Sequence, residues 1–211
     1  MTLGENLKET RAMYNDLIVK GMFAEIDRTK RSGASLATAV MVYIAIDAMT
    51  HLGLPLDRDR PTKRDFITWV NRYLRMNKNE EYEYTGIDLY AARCRLMQPY
   101  SPEIEVGRDE PHRSFVYHFG PGHRFDPIED NNVVMISLPR LVHDFYSAVY
   151  GFFSDAAHDK DLRASIDARL AIINEHYFPK PPMGASMPPP PPKPDAAQAT
   201  PRGLVGRLFG H

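Results

Sequence analysis

The chain has 211 residues, with 26 Lys and Arg against 27 Asp and Glu, a formal net charge of −1, and a single cysteine, Cys94. One cysteine cannot form an internal bridge, which excludes a disulfide-stapled secreted domain. The charge balance argues against a protein that coats DNA through a basic excess, and 43% hydrophobic with 25% charged residues fits a soluble globular domain carrying an appendage.

The N-terminus is polar and has no signal-peptide hydrophobic region. Tyr14, Leu17, Ile18 and Met22 recur at helical spacing, so a first helix is expected from Glu5 to Lys30, ended by Arg31-Ser-Gly33. Ala34 to Met49 is the most apolar segment, with 13 apolar residues of 16. It is short for a membrane span, which needs about 20 apolar residues, and Asp47 interrupts it. It reads as the central helix of a core, ended by His51-Leu-Gly53 and Pro55. Asp47 then lies close to the interior and requires a partner. Thr62 and Asp65 form a capping pattern ahead of Phe66, Trp69, Val70, Tyr73 and Leu74, a single apolar helix face. Glu80, Glu81 and Glu83 mark a solvated loop. Thr85 and Asp88 repeat the capping pattern before a fourth helix with Leu89, Tyr90, Cys94 and Met97 inward. Pro99 disfavours a helical Gln98, which places that residue at the helix exit.

The period then changes. Phe115, Tyr117 and Phe119 alternate with Val116 and His118, Gly120-Pro-Gly122 supplies a turn, and Asn132 to Ser137 reads as a second strand. A small antiparallel β-hairpin is expected near 113–137. Ser137 and Pro139 start another helix, with Leu141, Val142, Phe145, Tyr146, Val149, Phe152 and Phe153 on one stripe. A last helix runs from Lys160 to His176, with Leu162, Ile166, Leu170 and Ile173 inward. The fold class is therefore mainly α, a bundle of about six helices with a small hairpin insertion, over residues 1–178.

Ten of the 18 prolines follow Phe178. Residues 179–200 read as a disordered Pro-rich linker, extended as polyproline II at Pro188 to Pro192. In residues 201–211, Leu204, Val205, Leu208 and Phe209 recur at helical spacing between Arg202 and Arg207, as in a tethered docking peptide; a frayed terminus is the plainer alternative. The segment from Pro179 onward carries +3, which leaves −4 on the remainder.

No Gly-rich phosphate loop, paired-cysteine zinc pattern or His-Glu-x-x-His string is present, so no cofactor and no metal are expected. His118, His123 and Asp126 could share a metal, but their spacing matches no standard site, and ordinary surface histidines are the preferred reading. Cys94 lies on an apolar face, where a thiol is usually inert. The most informative residue is Arg93, three positions after Tyr90 and four after Leu89, on a helix that otherwise buries apolar groups. A guanidinium there needs a partner. A structural salt bridge to Asp47 or Asp88 is one account, and an anion-binding arginine facing RNA phosphate is the other.

The string Arg93-Cys-x-Leu-Met-x-x-Tyr100-Ser101, following a helical region, resembles the HEPN superfamily over about residues 35–101. That resemblance implies a helical bundle, a dimer interface where two Arg-x4-His motifs meet, and metal-independent RNA cleavage. Arg93 matches the family's arginine and would stabilise charge on the phosphate. Gln98 stands where the family has histidine; it forms hydrogen bonds but cannot titrate. The candidate site is thus Arg93 and Gln98, with Arg95, Tyr100 and Ser101 for substrate binding. Arg113 and His118 also fit an Arg-x4-His string, but in a strand they face opposite sides. His51 and His112 are the histidines that could approach Arg93 in space.

Because Gln98 breaks the motif, the preferred reading is a cytoplasmic HEPN-like module for binding or oligomerisation. Its expected partners are a second copy of the chain, RNA, and a protein partner held by the C-terminal peptide, with no membrane span. The alternative is a working ribonuclease, a toxin or phage-defence effector, using Arg93 with a histidine from elsewhere. A plain structural domain is the third reading.

Overall fold

A computed structural model describes residues 13–75, 83–97, 111–125 and 132–177. These residues form six helices and one two-stranded sheet. The first helix, α1, is wound in π form over Asn15–Phe23 and continues as an α-helix over Ala24–Arg31. It stops where expected, because Gly33 takes φ 73°, a conformation that suits glycine. The expected start at Glu5 lies outside the described residues.

Helix α2, Ser35–Leu52, is the centre of the bundle. It touches all five other helices and the sheet, and nine of its residues are buried, Val42, Tyr43, Ile46 and Met49 among them. Its buried hydroxyls are satisfied along the helix: Thr38 Oγ1 donates to the Ala34 carbonyl and Thr50 Oγ1 to that of Ile46, both at 2.8 Å. By length and composition alone it could cross a membrane, the one such helix among the described residues.

Helix α3 is α-helical over Lys63–Trp69 and widens into a π turn over Val70–Leu74. The predicted cap is present as a reciprocal box. Asp65 N–H donates to Thr62 Oγ1 at 3.4 Å, and Thr62 N–H donates to Asp65 Oδ2 at 2.7 Å. Helix α4, Gly86–Met97, begins the same way: Thr85 N–H meets Asp88 Oδ2 at 2.8 Å and Asp88 N–H meets Thr85 Oγ1 at 3.2 Å. Its inner face differs from the sequence reading. Leu89, Ala92 and Leu96 pack on the main core, while Cys94 joins Ala91 and Tyr90 in a small separate cluster. Met97, expected inward, is 36% exposed. The helix is rotated so that Leu96, at i+7 from Leu89, takes the place assigned to Met97.

Strands β1, Ser114–His118, and β2, Val133–Ser137, pair in parallel, from Ser114 opposite Val133 to His118 opposite Ser137. The expected antiparallel hairpin is therefore wrong. The Gly120-Pro-Gly122 turn does reverse the chain, but what it returns is Arg124, which bridges antiparallel to Met135 at N···O distances of 2.8 and 2.9 Å. The link between the strands, residues 119–132, is long enough for the chain to enter β2 in the direction of β1, which a tight hairpin could not allow.

Helix α5, Leu138–His158, follows β2 directly, with Ser137 accepting from the Arg140 N–H and Pro139 in the first turn. Helix α6, Lys160–Tyr177, is capped by Asp159, whose Oδ1 accepts from the N–H groups of Asp161 and Leu162 at 3.0 Å each. The predicted stripes hold the core: Leu141, Val142, Phe145, Val149 and Phe152 of α5 and Ile166 and Leu170 of α6 are buried. Trp69, Tyr73 and Phe152 meet at tilted and edge-to-face angles with centroids 5.4–6.2 Å apart.

The chain divides into two units, residues 1–178 and 179–211. The second unit, with the docking residues Leu204, Val205, Leu208 and Phe209, lies outside the described residues.

Candidate functional site

Arg93 sits in the third turn of α4, and its predicted need for a partner is met by Asp47 of α2. Nε and Nη2 both donate to Asp47 Oδ2, at 3.0 and 2.8 Å. The pair is about one-quarter exposed, 24% for Arg93 and 28% for Asp47. Burial pushes the Asp47 carboxyl above its ordinary value, and the Arg93 guanidinium pulls against that shift without cancelling it. Of the two carboxylates offered by the sequence, Asp88 is taken elsewhere. It is 3% exposed, caps α4, and accepts from the Arg113 N–H at 2.6 Å.

The pair forms one wall of a groove of about 490 Å³, lined also by His51, Arg60, Lys63 and Tyr90. His51 lies one helical turn beyond Asp47 and therefore shares its face. Lys63 Nζ and the Arg93 guanidinium carbon each lie 5.9 Å from the centroid of the Tyr90 ring. Arg60, Lys63 and Arg93 outnumber Asp47 and Asp59 around the opening.

His51 is the histidine that shares this groove with Arg93, and it is held in the neutral form. Arg169 Nη1 approaches His51 Nε2 at 2.8 Å; a guanidinium only donates, so Nε2 accepts and carries no proton. Burial lowers the ring's pKa first, the nearby Arg169 charge lowers it further, and a backbone hydrogen bond and the charge of Asp59 oppose them only partly. Arg169 is 8% exposed and has no carboxylate partner among the described residues; Nη2 donates instead to the carbonyls of Pro55 and Arg58 at 2.9 and 2.6 Å. The sequence reading passed over Arg169. The signal was there: with Ile166, Leu170 and Ile173 it completes an i, i+3, i+4, i+7 set, so it belongs to the buried stripe.

The other predicted site residues separate. Arg95, two positions from Arg93, points to a different side of α4. It donates to Ser114 Oγ at 2.7 Å and meets His112 Nε2 at 3.0 Å. Gln98, Tyr100 and Ser101 lie outside the described residues.

The histidines near the sheet are not a surface group. His123 has a side chain only 6% exposed, and its Nδ1 accepts from the Ser137 N–H at 3.1 Å. Its Nε2 lies 3.7 Å from Asp144 Oδ2. Ser137, His123 and Asp144 do not form a nucleophilic triad, because the Ser137 hydroxyl donates to the Gly120 carbonyl and only the backbone N–H meets the ring. His118 Nδ1 accepts from the Gly120 N–H at 2.9 Å. Asp126 lies outside the described residues, and among those described no cluster of His, Cys, Asp or Glu could hold a metal.

Comparison with family models, with curated proteins and with solved structures finds no match.

Proposed function

We propose that the chain is a HEPN-like binding module whose Arg93 groove holds single-stranded RNA by its phosphates and does not cleave it. The observation that carries this reading is the state of the two groups that cleavage would need. Arg93 is fixed on Asp47, and His51 is neutral with its Nε2 occupied by Arg169. A general acid must have a proton to give and a general base a free lone pair. The groove holds cations and an aromatic ring, which suit phosphate and base, and its histidine has Nε2 engaged by Arg169. In this reading the module self-associates, and the tail peptide with Leu204, Val205, Leu208 and Phe209 captures a protein partner.

The test is a binding and cleavage assay on the full chain with a fluorescent single-stranded RNA in EDTA. The expected result is salt-sensitive binding, weakened about three- to ten-fold by Lys63→Ala or Arg60→Ala, with the RNA recovered intact. Robust cleavage abolished by Arg93→Ala would sink the binding-only reading. Arg95 favours a second reading, because it and His112 do bring a guanidinium to an imidazole at 3.0 Å. A ribonuclease built on that pair would lose cleavage in Arg95→Ala and keep it in Arg93→Ala.

A further inference from the structure

The segment between α2 and α3, residues 53–62, contains no helix or strand, and it carries Asp59 and Arg60 to the Arg93 groove. Leu54 is 4% exposed, and none of the residues after it in the segment is buried. Apolar burial therefore does little to fix where Arg60 stands. Polar contacts do it instead, and they converge on Arg169 of α6. Its Nη2 donates to the carbonyls of Pro55 and Arg58 at 2.9 and 2.6 Å, and its Nη1 donates to His51 Nε2 at 2.8 Å. His51 in turn hydrogen-bonds the Asp59 backbone. Arg58 is held by its side chain as well, with Nη1 and Nη2 donating to the two carboxylate oxygens of Asp65 at 3.0 and 2.6 Å.

We propose that Arg169 is a positioning residue for the Arg93 groove: it ties residues 55–59 to α6 and so sets where Arg60 meets a phosphate. The inference rests on the RNA reading above and names the residue that prepares its site. Burying a guanidinium without a carboxylate is costly. Here the side chain, 8% exposed, reaches two carbonyls and an imidazole with one planar fork. A lysine ammonium on its flexible stem does not reproduce that geometry. Arg169 is not among the described residues that line the groove, so it acts on a ligand only through the segment it holds. Lys63 differs from Arg60 in this respect, because it begins α3 and is placed by that helix and its capping box.

The test compares the unsubstituted full chain with Arg169→Met and Arg169→Lys, by hydrogen exchange and by binding of a fluorescent single-stranded RNA in EDTA. Methionine keeps an apolar stem and no donor; lysine keeps the charge and loses the fork. In both variants exchange over residues 53–60 should rise about ten-fold while α2 and α5 stay protected. RNA binding should weaken about three- to ten-fold. Coupling is the readout that a general loss of stability would not move. Arg60→Ala should cost less than about two-fold in either Arg169 variant, whereas Lys63→Ala should keep the full factor it has in the unsubstituted chain. Each variant carries both readouts, so either one suffices if the other does not fold. The proposal is overturned by unchanged exchange over residues 53–60, by lysine restoring binding, or by Arg60→Ala keeping its full factor in the Arg169 variants. Unchanged exchange would leave the RNA reading intact. Absence of salt-sensitive binding by the unsubstituted chain would overturn that reading and, with it, the role of Arg169 in the site.

Discussion

His51 ties the groove to pH. Its folded pKa lies below the ordinary 6.5 because burial and Arg169 both disfavour the imidazolium. A group with a depressed folded pKa contributes stability that is present above its unfolded pKa and lost as pH falls through the folded one. The fold should therefore weaken as pH drops below about 6.5, before the carboxylates titrate. His51→Gln, which keeps an acceptor for Arg169, should flatten that part of the profile. Urea unfolding at pH 7.5 and 5.5 measures it, and an equal loss in both proteins would show that His51 is not the group responsible. The Arg93–Asp47 pair makes a separate prediction. Because both side chains are about one-quarter exposed, their coupling should be on the order of 1 kcal/mol rather than that of a fully buried pair. A double-mutant cycle with Asp47→Asn and Arg93→Gln reads it, and coupling near zero would reduce the contact to an ordinary surface pair. The need for this contact was legible in the sequence: an arginine on an apolar helix face and an aspartate inside an apolar helix each required a counter-charge. That His51 would be neutralised by Arg169 was not legible, because the two residues are 118 positions apart and only the packing of α6 on α2 brings them together.

At the scale of elements, the caps were readable because their chemistry is local: Thr62 with Asp65 and Thr85 with Asp88 satisfy helix N–H groups three residues away. Asp88 does more than cap. Its Oδ1 also holds the Arg113 N–H, just before β1, at 2.6 Å, so it fixes where the sheet starts against α4. Thr62→Ala should cost about 1 kcal/mol. Asp88→Ala should cost about 2–4 kcal/mol, because it orphans several donors in a buried place. Thermal unfolding of the two variants orders them, and equal losses would reduce Asp88 to a cap alone. The strand pairing was not legible for the opposite reason. Alternation in Phe115 to Phe119 and the turn at Gly120-Pro-Gly122 give two strands and one reversal, but nothing in either fixes which returning segment occupies the edge of β2. Arg124 takes it through backbone bonds, and backbone bonds leave no trace in side-chain pattern.

For the whole molecule, the near-zero net charge is a −4 unit of residues 1–178 joined to a +3 segment of residues 179–211. The hydrophobic core found among the described residues belongs to the first unit, from Ile18 to Leu170. Folding free energy arises from such burial, about 25 cal/mol per Å² of apolar surface, and the proline-rich segment has little apolar surface to add before its last eleven residues. Deleting residues 179–211 should therefore leave a single cooperative transition with a midpoint within a few degrees of the full chain. The same deletion should weaken capture of a protein partner, if the peptide with Leu204, Val205, Leu208 and Phe209 is the docking element. The two readouts separate the possibilities. A broadened or strongly lowered transition would mean that the segment packs on the helical unit and is part of its stability. An unchanged transition with unchanged pull-down partners would remove the docking role. A substitution of Leu208 and Phe209 by serine in the full chain should reproduce the loss of capture without the change in charge, because it removes the apolar face and leaves Arg202 and Arg207 in place.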